Sequence, residues 1–425
     1  MTTYSSKPDP DRIWQDLTTL SSFRDPDSEG WTRRSFTPAY RAGRDYIRMR
    51  MKEAGLTVSQ DAAANLIGRR PGRDRRLPPI WIGSHTDTVQ GGGRFDGTSG
   101  VVAALEVARL LKENRHELAH ALEVFDYTAE EPTDFGISTV GSKALAGNLS
   151  AEMLALQDGT GRTLAAALRE YGGDPGTISQ TARKRGSVAA CLELHIEQGP
   201  VLETAGNILG AVSGIVGVRR FRVEVEGRAD HAGTAPMALR RDALAGAAEM
   251  ILALETIAAA CGEPESCVGT VGRIRIAPNA ANVVAGVAEL NAEIRTLNGQ
   301  LLEELSSRFL SACRQTAARR DLSVQLSTLS HTDPVQINPE ILALVRQACE
   351  EVTELTQEIT SGAGHDSNQL ACFAPVGMIF VPSREGRSHC PGEYTDPRSL
   401  ALGTEALLAA VLAVDGRQAA PGELP

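Results

Sequence analysis

The sequence predicts an α/β protein with a mostly parallel central sheet and a second, inserted domain. Three apolar runs, at residues 79–85, 121–128 and 189–195, have the length of buried strands, and helical patterns separate them. A fourth apolar run, at residues 376–381, follows near the end of the chain. Strands that alternate with helices favour a parallel sheet covered by helices. Ligands bind such sheets at the carboxyl ends of the strands, where we therefore expect the functional site.

A different pattern occupies the middle of the chain. Its elements are predicted in the order β-α-β-β-α-β, which is typical of a ferredoxin-like two-layer unit. Such a unit has its own apolar faces and can be inserted into another domain. The predicted strands are 216–226, 268–276, 283–296 and 322–329, and the predicted helices are 242–260 and 301–318. The expected domains are therefore 213–330 for the insert, with 1–212 and 331–425 as the two parts of the main domain.

The composition restricts the class of partner. The chain has 425 residues, of which 42% are hydrophobic and 23% charged, and a net charge of -10. Such an acidic protein is not expected to bind nucleic acid or an anionic membrane as its main partner. No stretch is expected to span a membrane, and the first ten residues lack the apolar core of a secretion signal. These features predict a soluble, cytoplasmic protein.

Cysteine usage favours the same compartment. The chain has seven cysteines, an odd number, and no pair has C-x-x-C spacing. Neither a disulfide framework nor a structural zinc site is therefore indicated. A reducing cytosol fits this pattern best.

The predicted strands end in side chains that can bind metal. The first ends at His85, with Asp87 placed to hold its other ring nitrogen, and the third ends at His195. The second leads into Glu130 and Glu131. A single such ending is equally compatible with a structural histidine or a solvated glutamate pair. Their recurrence at three strand ends favours one shared metal site.

Five residues form the candidate ligand set: His85, Asp96, Glu131, His195 and His389. Three imidazoles and two carboxylates suit two divalent ions, Zn²⁺ or Mn²⁺, with Co²⁺ or Ni²⁺ as further candidates. A carboxylate such as Asp96 can bridge two ions, and Glu130 can serve as the base for a bound water. The alternative interpretation leaves His389 as a simple loop residue.

Seven segments carry a family resemblance over most of the chain. They are 83–87 (GSHTD), 92–97 (GGRFDG), 130–131 (EE), 192–203 (LELHIEQGPVLE), 229–237 (ADHAGTAPM), 362–366 (GAGHD) and 382–389. The chain resembles the dinuclear-metal aminoacylase and carboxypeptidase superfamily (M20 type). More narrowly, it resembles the hydantoinase/carbamoylase branch of N-carbamoyl-L-amino-acid hydrolases, β-ureidopropionases and allantoate amidohydrolases.

The resemblance implies a zinc-peptidase-like catalytic domain with a defined arrangement of ligands. His85, Asp96 and His195 would bind one metal, and Asp96, Glu131 and His389 the other. Glu130 would be the general base, and Asp87 would support His85.

The resemblance also gives a role to the insert, as a lid that mediates homodimerisation. His231 would reach the site and stabilise the oxyanion. Asn282 and Arg295 would hold the carboxylate of the substrate, since the planar guanidinium of arginine matches a carboxylate. Without the resemblance, His231 could equally be a turn histidine and Arg295 an exposed member of an ion pair.

The remaining implied contacts concern the other end of the substrate. Gln198 would contact its ureido or amide group, and the backbone of Gly362 and Gly364 would accept its far end. The implied reaction is attack by metal-bound hydroxide on a linear amide, most simply an N-carbamoyl-L-amino acid, giving amino acid, carbon dioxide and ammonia. Alternatives are allantoate, N-carbamoyl-β-alanine, N-acyl amino acids or peptides as substrates, or a non-catalytic protein that keeps the fold.

The sequence departs from this family pattern at two places. Pro132 and Thr133 follow the glutamate pair, and Thr98 and Ser99 follow the Phe-Asp-Gly motif, where relatives more often have other residues. Both places flank the predicted metal site. They therefore leave the exact substrate open.

Overall fold

The computed structural model describes residues 7–262 and 267–417. The chain folds as two compact units. The first, called here the large unit, contains the chain up to Ser213, the segment Ile337–Ile359 and the chain from His365 onward. The second, the inserted unit, contains Gly214–Gln336 and Thr360–Gly364.

The described residues contain twelve α-helices and thirteen strands. The helices are α1 Pro10–Ser22, α2 Pro38–Glu53, α3 Thr98–Glu113, α4 Val140–Leu145, α5 Ala151–Leu154, α6 Leu164–Glu170, α7 Val201–Ala205, α8 Ala243–Ala259, α9 Gly299–Arg319, α10 Pro339–Val352, α11 Asp366–Leu370 and α12 Pro397–Asp415. The strands are β1 Thr57–Gln60, β2 Leu66–Arg70, β3 Ile80–His85, β4 Leu122–Tyr127, β5 Ala190–Ile196, β6 Leu209–Ile215, β7 Gly217–Glu226, β8 Cys267–Ala277, β9 Val287–Thr296, β10 Ser323–Thr332, β11 Val335–Gln336, β12 Thr356–Ser361 and β13 Val376–Val381.

The sheet of the large unit runs in the order β1-β2-β4-β3-β5-β13-β6, with β12 also paired to β6. Its four central strands, β4, β3, β5 and β13, are parallel to one another. Every residue of these four strands is buried, as expected for a parallel sheet covered on both faces. The predicted α/β class with a mostly parallel central sheet is confirmed. The four parallel strands carry their carboxyl ends to one edge, where the metal-capable side chains follow.

Helix α12 is long and apolar enough to cross a membrane by length and composition alone. Its position in the core of the large unit explains this composition, because Leu400, Leu407 and Val411 are almost fully buried there. The expectation that no stretch spans a membrane is therefore not contradicted. A core helix needs apolar residues on several faces for the same reason as a membrane helix. Asp396 caps its first turn by accepting a hydrogen bond from the Arg398 N–H.

The inserted unit has the predicted β-α-β-β-α-β order. Its four long strands are antiparallel and lie in the order β10-β7-β9-β8. One face of the sheet packs on α8 and α9 through residues such as Phe221, Leu290 and Phe309. The opposite face carries the polar residues that alternate with them on β7 and β9. At the beginning of this unit, β11 pairs with residues 214–215.

Three local features differ from the sequence expectations. The helical pattern that separates the second and third apolar runs gives a helix before Leu145 only over Val140–Leu145, because Pro132 and Gly136 favour a loop before it. Strands β6 and β12 carry no clear alternation and were not predicted. Cys261 and Cys267 form a disulfide across the connection from α8 to β8, with their Cα atoms 6.2 Å apart, which corrects the expectation from the odd cysteine count.

Candidate active site

The first group of metal-capable side chains lies at the ends of two paired strands. His85 ends β3, and His195 is the penultimate residue of the neighbouring strand β5. Asp96 lies in the loop before α3 and approaches both. Its Oδ1 atom is 3.6 Å from His85 Nε2 and 3.2 Å from His195 Nε2. All three side chains are buried.

The hydrogen bonds of the two rings indicate which nitrogen carries the proton and which presents a lone pair. His85 Nδ1 lies 3.0 Å from the carbonyl oxygen of Asp87, and His195 Nδ1 lies 2.8 Å from that of Ile196. A carbonyl oxygen only accepts, so each Nδ1 carries the proton and donates it. Each Nε2 therefore presents its lone pair on the side of Asp96, as a metal-binding imidazole does.

The second group shares Asp96 with the first. His389 Nε2 is 3.0 Å from Asp96 Oδ2 and 3.3 Å from Glu131 Oε1. The ligand atoms within each group, His85–Asp96–His195 and Asp96–Glu131–His389, lie within 4.8 Å of one another. Each carboxylate oxygen of Asp96 thus faces a different group. This arrangement fits a carboxylate that bridges two cations.

The charges at the site also fit a cation. Burial raises the pKa of Glu130 well above its usual range and raises that of Glu131. Hydrogen bonds to Asp96 and Glu131 raise the pKa of His389 to about 11. Burial disfavours the charged form of Asp96, but its contacts with His195 and the other two imidazoles outweigh this and lower its pKa. Several carboxylates are therefore crowded into a buried space that positive charge must compensate.

The two glutamates are presented by a strained turn after β4. Ala129 has a φ angle of 54°, in the left-handed region that non-glycine residues rarely adopt. Both oxygens of Asp87 hold the turn, one accepting from Glu130 N–H at 3.2 Å and the other from Glu131 N–H at 3.1 Å. The Asp87 carboxylate is 3.6 Å from His85 Nδ1, farther than its own carbonyl oxygen. Asp87 thus supports His85 mainly through its backbone, and its side chain orients the glutamate pair.

As a result, the carboxylates of Glu130 and Glu131 contact different residues. The carboxylate of Glu131 contacts His389, whereas Glu130 Oε2 lies 3.7 Å from His85 Nε2. Glu130 therefore faces the ligand cluster without sharing the contact that joins Glu131 to His389. A carboxylate in this position can exchange a proton with a water held between the two groups.

Gly97 is required by the close packing of this loop. A Cβ atom there would lie 2.3 Å from atoms of the His85 ring, and the residue has a φ angle of +63°. Its N–H also points to His195 Nε2 at 3.2 Å. Glycine at this position lets the loop carrying Asp96 approach both histidines.

A third possible group, Glu193, His195 and His365, is better explained as structural. The two oxygens of Glu193 accept hydrogen bonds from Ser84 Oγ at 2.6 Å and Ser367 Oγ at 2.9 Å. The His365 ring packs edge-on against that of His195, with 4.6 Å between ring centroids. These contacts orient His195 and the start of α11.

Gln198 joins the cluster from the loop after β5. Its Nε2 donates to Asp96 Oδ2 at 2.6 Å, and its φ angle is 61°. Its Oε1 is buried and accepts no hydrogen bond from the residues that the structure describes. A buried acceptor of this kind suits a ligand that brings its own N–H donor.

Five further predicted residues lie in the inserted unit, and four of them form two pairs. His231 is exposed, accepts from Gly233 N–H through Nδ1, and forms a bridge with Val283. This bridge places it beside Asn282, whose carbonyl oxygen accepts from Ala232 N–H.

The second pair joins Arg295 to the segment around Gly362. Arg295 Nη1 donates to the carbonyl oxygen of Gly362 at 2.7 Å. Gly364 lies two residues further on and is exposed. The Gly362 carbonyl, which was expected to contact a substrate, is thus bound to Arg295.

Comparison with known protein families identifies the family of this protein. The model of peptidase family M20/M25/M40 matches residues 81–413. The chain belongs to this family. An N-carbamoyl-L-amino-acid amidohydrolase of Paenarthrobacter aurescens is 39% identical over 406 residues, which cover 95% of this chain and 98% of the relative. An allantoate amidohydrolase of Bacillus subtilis is 32% identical, over 89% of this chain and 91% of the relative.

Solved structures agree with this assignment. A hydantoinase/carbamoylase family amidase from Burkholderia multivorans has a TM-score of 0.87 and 33% sequence identity, and the match covers 97% of this chain and 99% of that one. The resemblance to the M20 superfamily and its hydantoinase/carbamoylase branch is therefore confirmed. Like other M20 members, this chain is a hydrolase.

One residue beside this M20 site, Glu393, was missed by the sequence reasoning. Glu393 is buried, and its Oε1 accepts from Phe95 N–H at 2.8 Å and Asp96 N–H at 3.1 Å. Ser388 Oγ lies between Glu393 Oε2, at 2.8 Å, and Asp96 Oδ2, at 3.0 Å. Glu393 thus connects the loops of Asp96 and His389. The sequence near Glu393 gives no signal of this role, because the contact joins residues almost 300 positions apart.

Proposed function

We propose that this M20-family protein hydrolyses the carbamoyl C–N bond of N-carbamoyl-L-amino acids, using two divalent cations. The observation that carries the proposal is the position of Asp96, whose two oxygens face two separate histidine groups while Glu130 lies beside them. The choice of substrate is supported by the relative of that activity at 39% identity over nearly the whole chain.

The cations would be held by the residues already described. His85 and His195 would bind one, His389 and Glu131 the other, and Asp96 would bridge them. Zn²⁺ and Mn²⁺ are favoured by this mixture of imidazole and carboxylate, with Co²⁺ and Ni²⁺ as alternatives. When bound, two such cations lower the pKa of a water and polarise a carbonyl group.

The chain supplies the proton transfer and the orientation of the substrate. Glu130 takes a proton from water and gives it to the leaving nitrogen, a role that needs a carboxylate with a raised pKa. Gln198 Oε1, a buried acceptor with no partner among the described residues, accepts from an N–H of the carbamoyl group. Asp96 keeps the Gln198 amide in this orientation by accepting from its Nε2.

In this proposal the inserted unit acts as a lid. His231 would stabilise the oxyanion, and Arg295 with Asn282 would bind the carboxylate of the substrate. Gly362 would act through Arg295, whose guanidinium it holds, and Gly364 would contact the substrate through its backbone. Closure of such a lid excludes water and brings the two sets of residues to one substrate.

The proposal includes a homodimer formed through the inserted unit and a cytoplasmic location. The strand β8 lies at the edge of the inserted sheet and exposes Val268 and Ile274, at 54% and 45%. Exposed apolar residues on a sheet edge favour pairing with another strand.

The test is an ammonia-release screen of the full chain after reconstitution with Zn²⁺ or Mn²⁺. N-carbamoyl-L-amino acids should be cleaved with the highest kcat/KM. Allantoate, the second candidate, is favoured by the relative of that activity, and N-carbamoyl-β-alanine and N-acetyl amino acids complete the panel. A higher kcat/KM for any of these three, or equal activity without metal, would contradict the proposal.

A further inference from the structure

The polar face of the inserted sheet contains a three-residue row, Arg220, Glu293 and Arg295. Arg220 on β7 lies directly opposite Glu293 on β9, and Arg295 follows two residues later on the same face. Glu293 Oε1 accepts from Arg295 Nε at 2.7 Å, and Oε2 accepts from Arg220 Nε at 2.7 Å. Glu293 thus uses each oxygen for a different arginine.

These contacts leave one edge of the Arg295 guanidinium available. Nε is bound by Glu293 and Nη1 by the Gly362 carbonyl, while Nη2 takes part in no hydrogen bond with the part of the chain that the structure describes. The side chain is therefore held at two points, with its outer edge able to bind a planar anion. An arginine held in this way loses less rotamer freedom when it binds a carboxylate.

The charges of the row favour the same ligand. Two arginines and one glutamate leave one net positive charge. Because Glu293 also pairs with Arg220, its negative charge is shared between two arginines and neutralises that of Arg295 only in part. A direct ion pair that occupied both Nη groups would compete with a substrate carboxylate. The contacts through Nε and Nη1 leave Nη2 and the second N–H of Nη1 for a carboxylate, and adjacent N–H donors of this kind can form a bidentate pair.

We propose that Glu293 is a positioning residue that holds the Arg295 guanidinium for the carboxylate of the substrate. This inference rests on the proposed function, in which Arg295 binds that carboxylate. Glu293 itself does not touch the substrate, so its loss acts on substrate binding and leaves the chemical step unchanged.

The competing explanation is that Glu293 only stabilises the sheet through cross-strand ion pairs. The same strands provide a matched control. Glu289 lies on the same face of β9 and pairs with Arg222 of β7, at 3.6 Å between Oε1 and Nε, but makes no contact with Arg295. Glu289→Gln removes a similar carboxylate without affecting the row.

The experiment compares the metal-reconstituted full chain with its Glu293→Gln, Glu289→Gln and Arg295→Ala variants. KM and kcat are measured with an N-carbamoyl-L-amino acid and with its carboxamide, in which the carboxylate is replaced by a neutral amide. Glu293→Gln should raise KM for the acid about tenfold, keep kcat within about twofold, and change KM for the carboxamide by less than about twofold. Glu289→Gln should change neither.

The possible results distinguish a failure of the Glu293 role from a failure of the proposed function. If Arg295→Ala raises KM selectively for the acid while Glu293→Gln behaves like Glu289→Gln, the positioning role is wrong and the carboxylate assignment stands. An equal rise in KM for acid and carboxamide in Glu293→Gln would show a purely structural role. If Arg295→Ala does not discriminate between the two substrates, the carboxylate assignment of the proposed function fails, and the role of Glu293 fails with it.

Discussion

The candidate functional residues of the two units are held by different physical means. In the large unit, Asp96, Glu131 and Glu393 are only 4%, 5% and 2% exposed, and backbone N–H groups fix the turns that carry them. In the inserted unit, the side chains of Arg295 and Glu293 are 22% and 24% exposed and are held mainly by other side chains.

This difference indicates that the two sets of residues have different roles. A buried carboxylate cluster is rigid and costly to assemble, so it suits groups that must hold cations and transfer protons with defined geometry. Exposed side chains on a sheet surface can be adjusted and exchanged at low cost, which suits contacts that recognise a substrate. Changes to the buried carboxylates of the large unit should therefore affect metal binding and kcat, and changes to Arg295 and Glu293 in the inserted unit should affect KM.

The strongest test of the buried cluster is Asp96→Asn. It removes the charge that faces both histidine groups, so we expect less than one bound metal per chain and a loss of activity of about 10⁴-fold or more. Metal content by elemental analysis after dialysis checks the first effect, and ammonia release checks the second. Asp415→Asn is the control, because the Asp415 carboxylate accepts hydrogen bonds from the Ala119 and His120 N–H groups but belongs to neither candidate ligand group. Two metals per chain in Asp96→Asn would refute the bridging role.

A smaller effect with a different signature is expected for Glu130→Gln. The variant keeps the size of the side chain but cannot take a proton, so kcat should fall about 10³-fold while metal content stays unchanged. Kinetics and elemental analysis on the same preparation separate the two effects. Full turnover in this variant would show that Glu130 is not the base.

The next effect belongs to Glu393, which supports the loop of Asp96 from outside the ligand set. Glu393→Gln loses the charge that accepts the Phe95 and Asp96 N–H groups, and we expect metal affinity to fall about 10–100-fold. At saturating metal, kcat should return to near its original value. Titration with a metal chelator measures the affinity. An unchanged affinity would mean that the loop keeps its position without this carboxylate.

Much of the large unit could be predicted because its signals are local. Strands such as β13 are short apolar runs bounded by turn residues. The residues at or just after the ends of β3 and β4, such as His85 and Glu131, are of metal-binding types. The carboxyl ends of the strands in a parallel sheet meet at one edge. Residues at the ends of different strands could therefore be predicted from the sequence to lie close together.

The remaining features depend on contacts between distant parts of the chain. Glu393 becomes informative only when its carboxylate is seen to meet Asp96, almost 300 positions earlier, and nothing near it in sequence shows this. Glu293 is similar, because its two arginines are recognised only from the register of β7 on β9. The Cys261–Cys267 disulfide depends on how close the end of α8 lies to the start of β8, with 6.2 Å between the two Cα atoms.

The smallest expected effect is that of Arg295→Lys in the inserted unit. Lysine keeps the positive charge but replaces the planar, forked donor by a single ammonium group, which cannot bind Glu293, Gly362 and a substrate carboxylate at once. We expect KM for an N-carbamoyl-L-amino acid to rise about tenfold, with kcat and metal content nearly unchanged. Arg222→Lys, on the same sheet face but outside the row, is the matched control. A loss of kcat or metal in Arg295→Lys would show that Arg295 acts on the chemical step or on the metal site, and its assignment to substrate binding alone would then have to be abandoned.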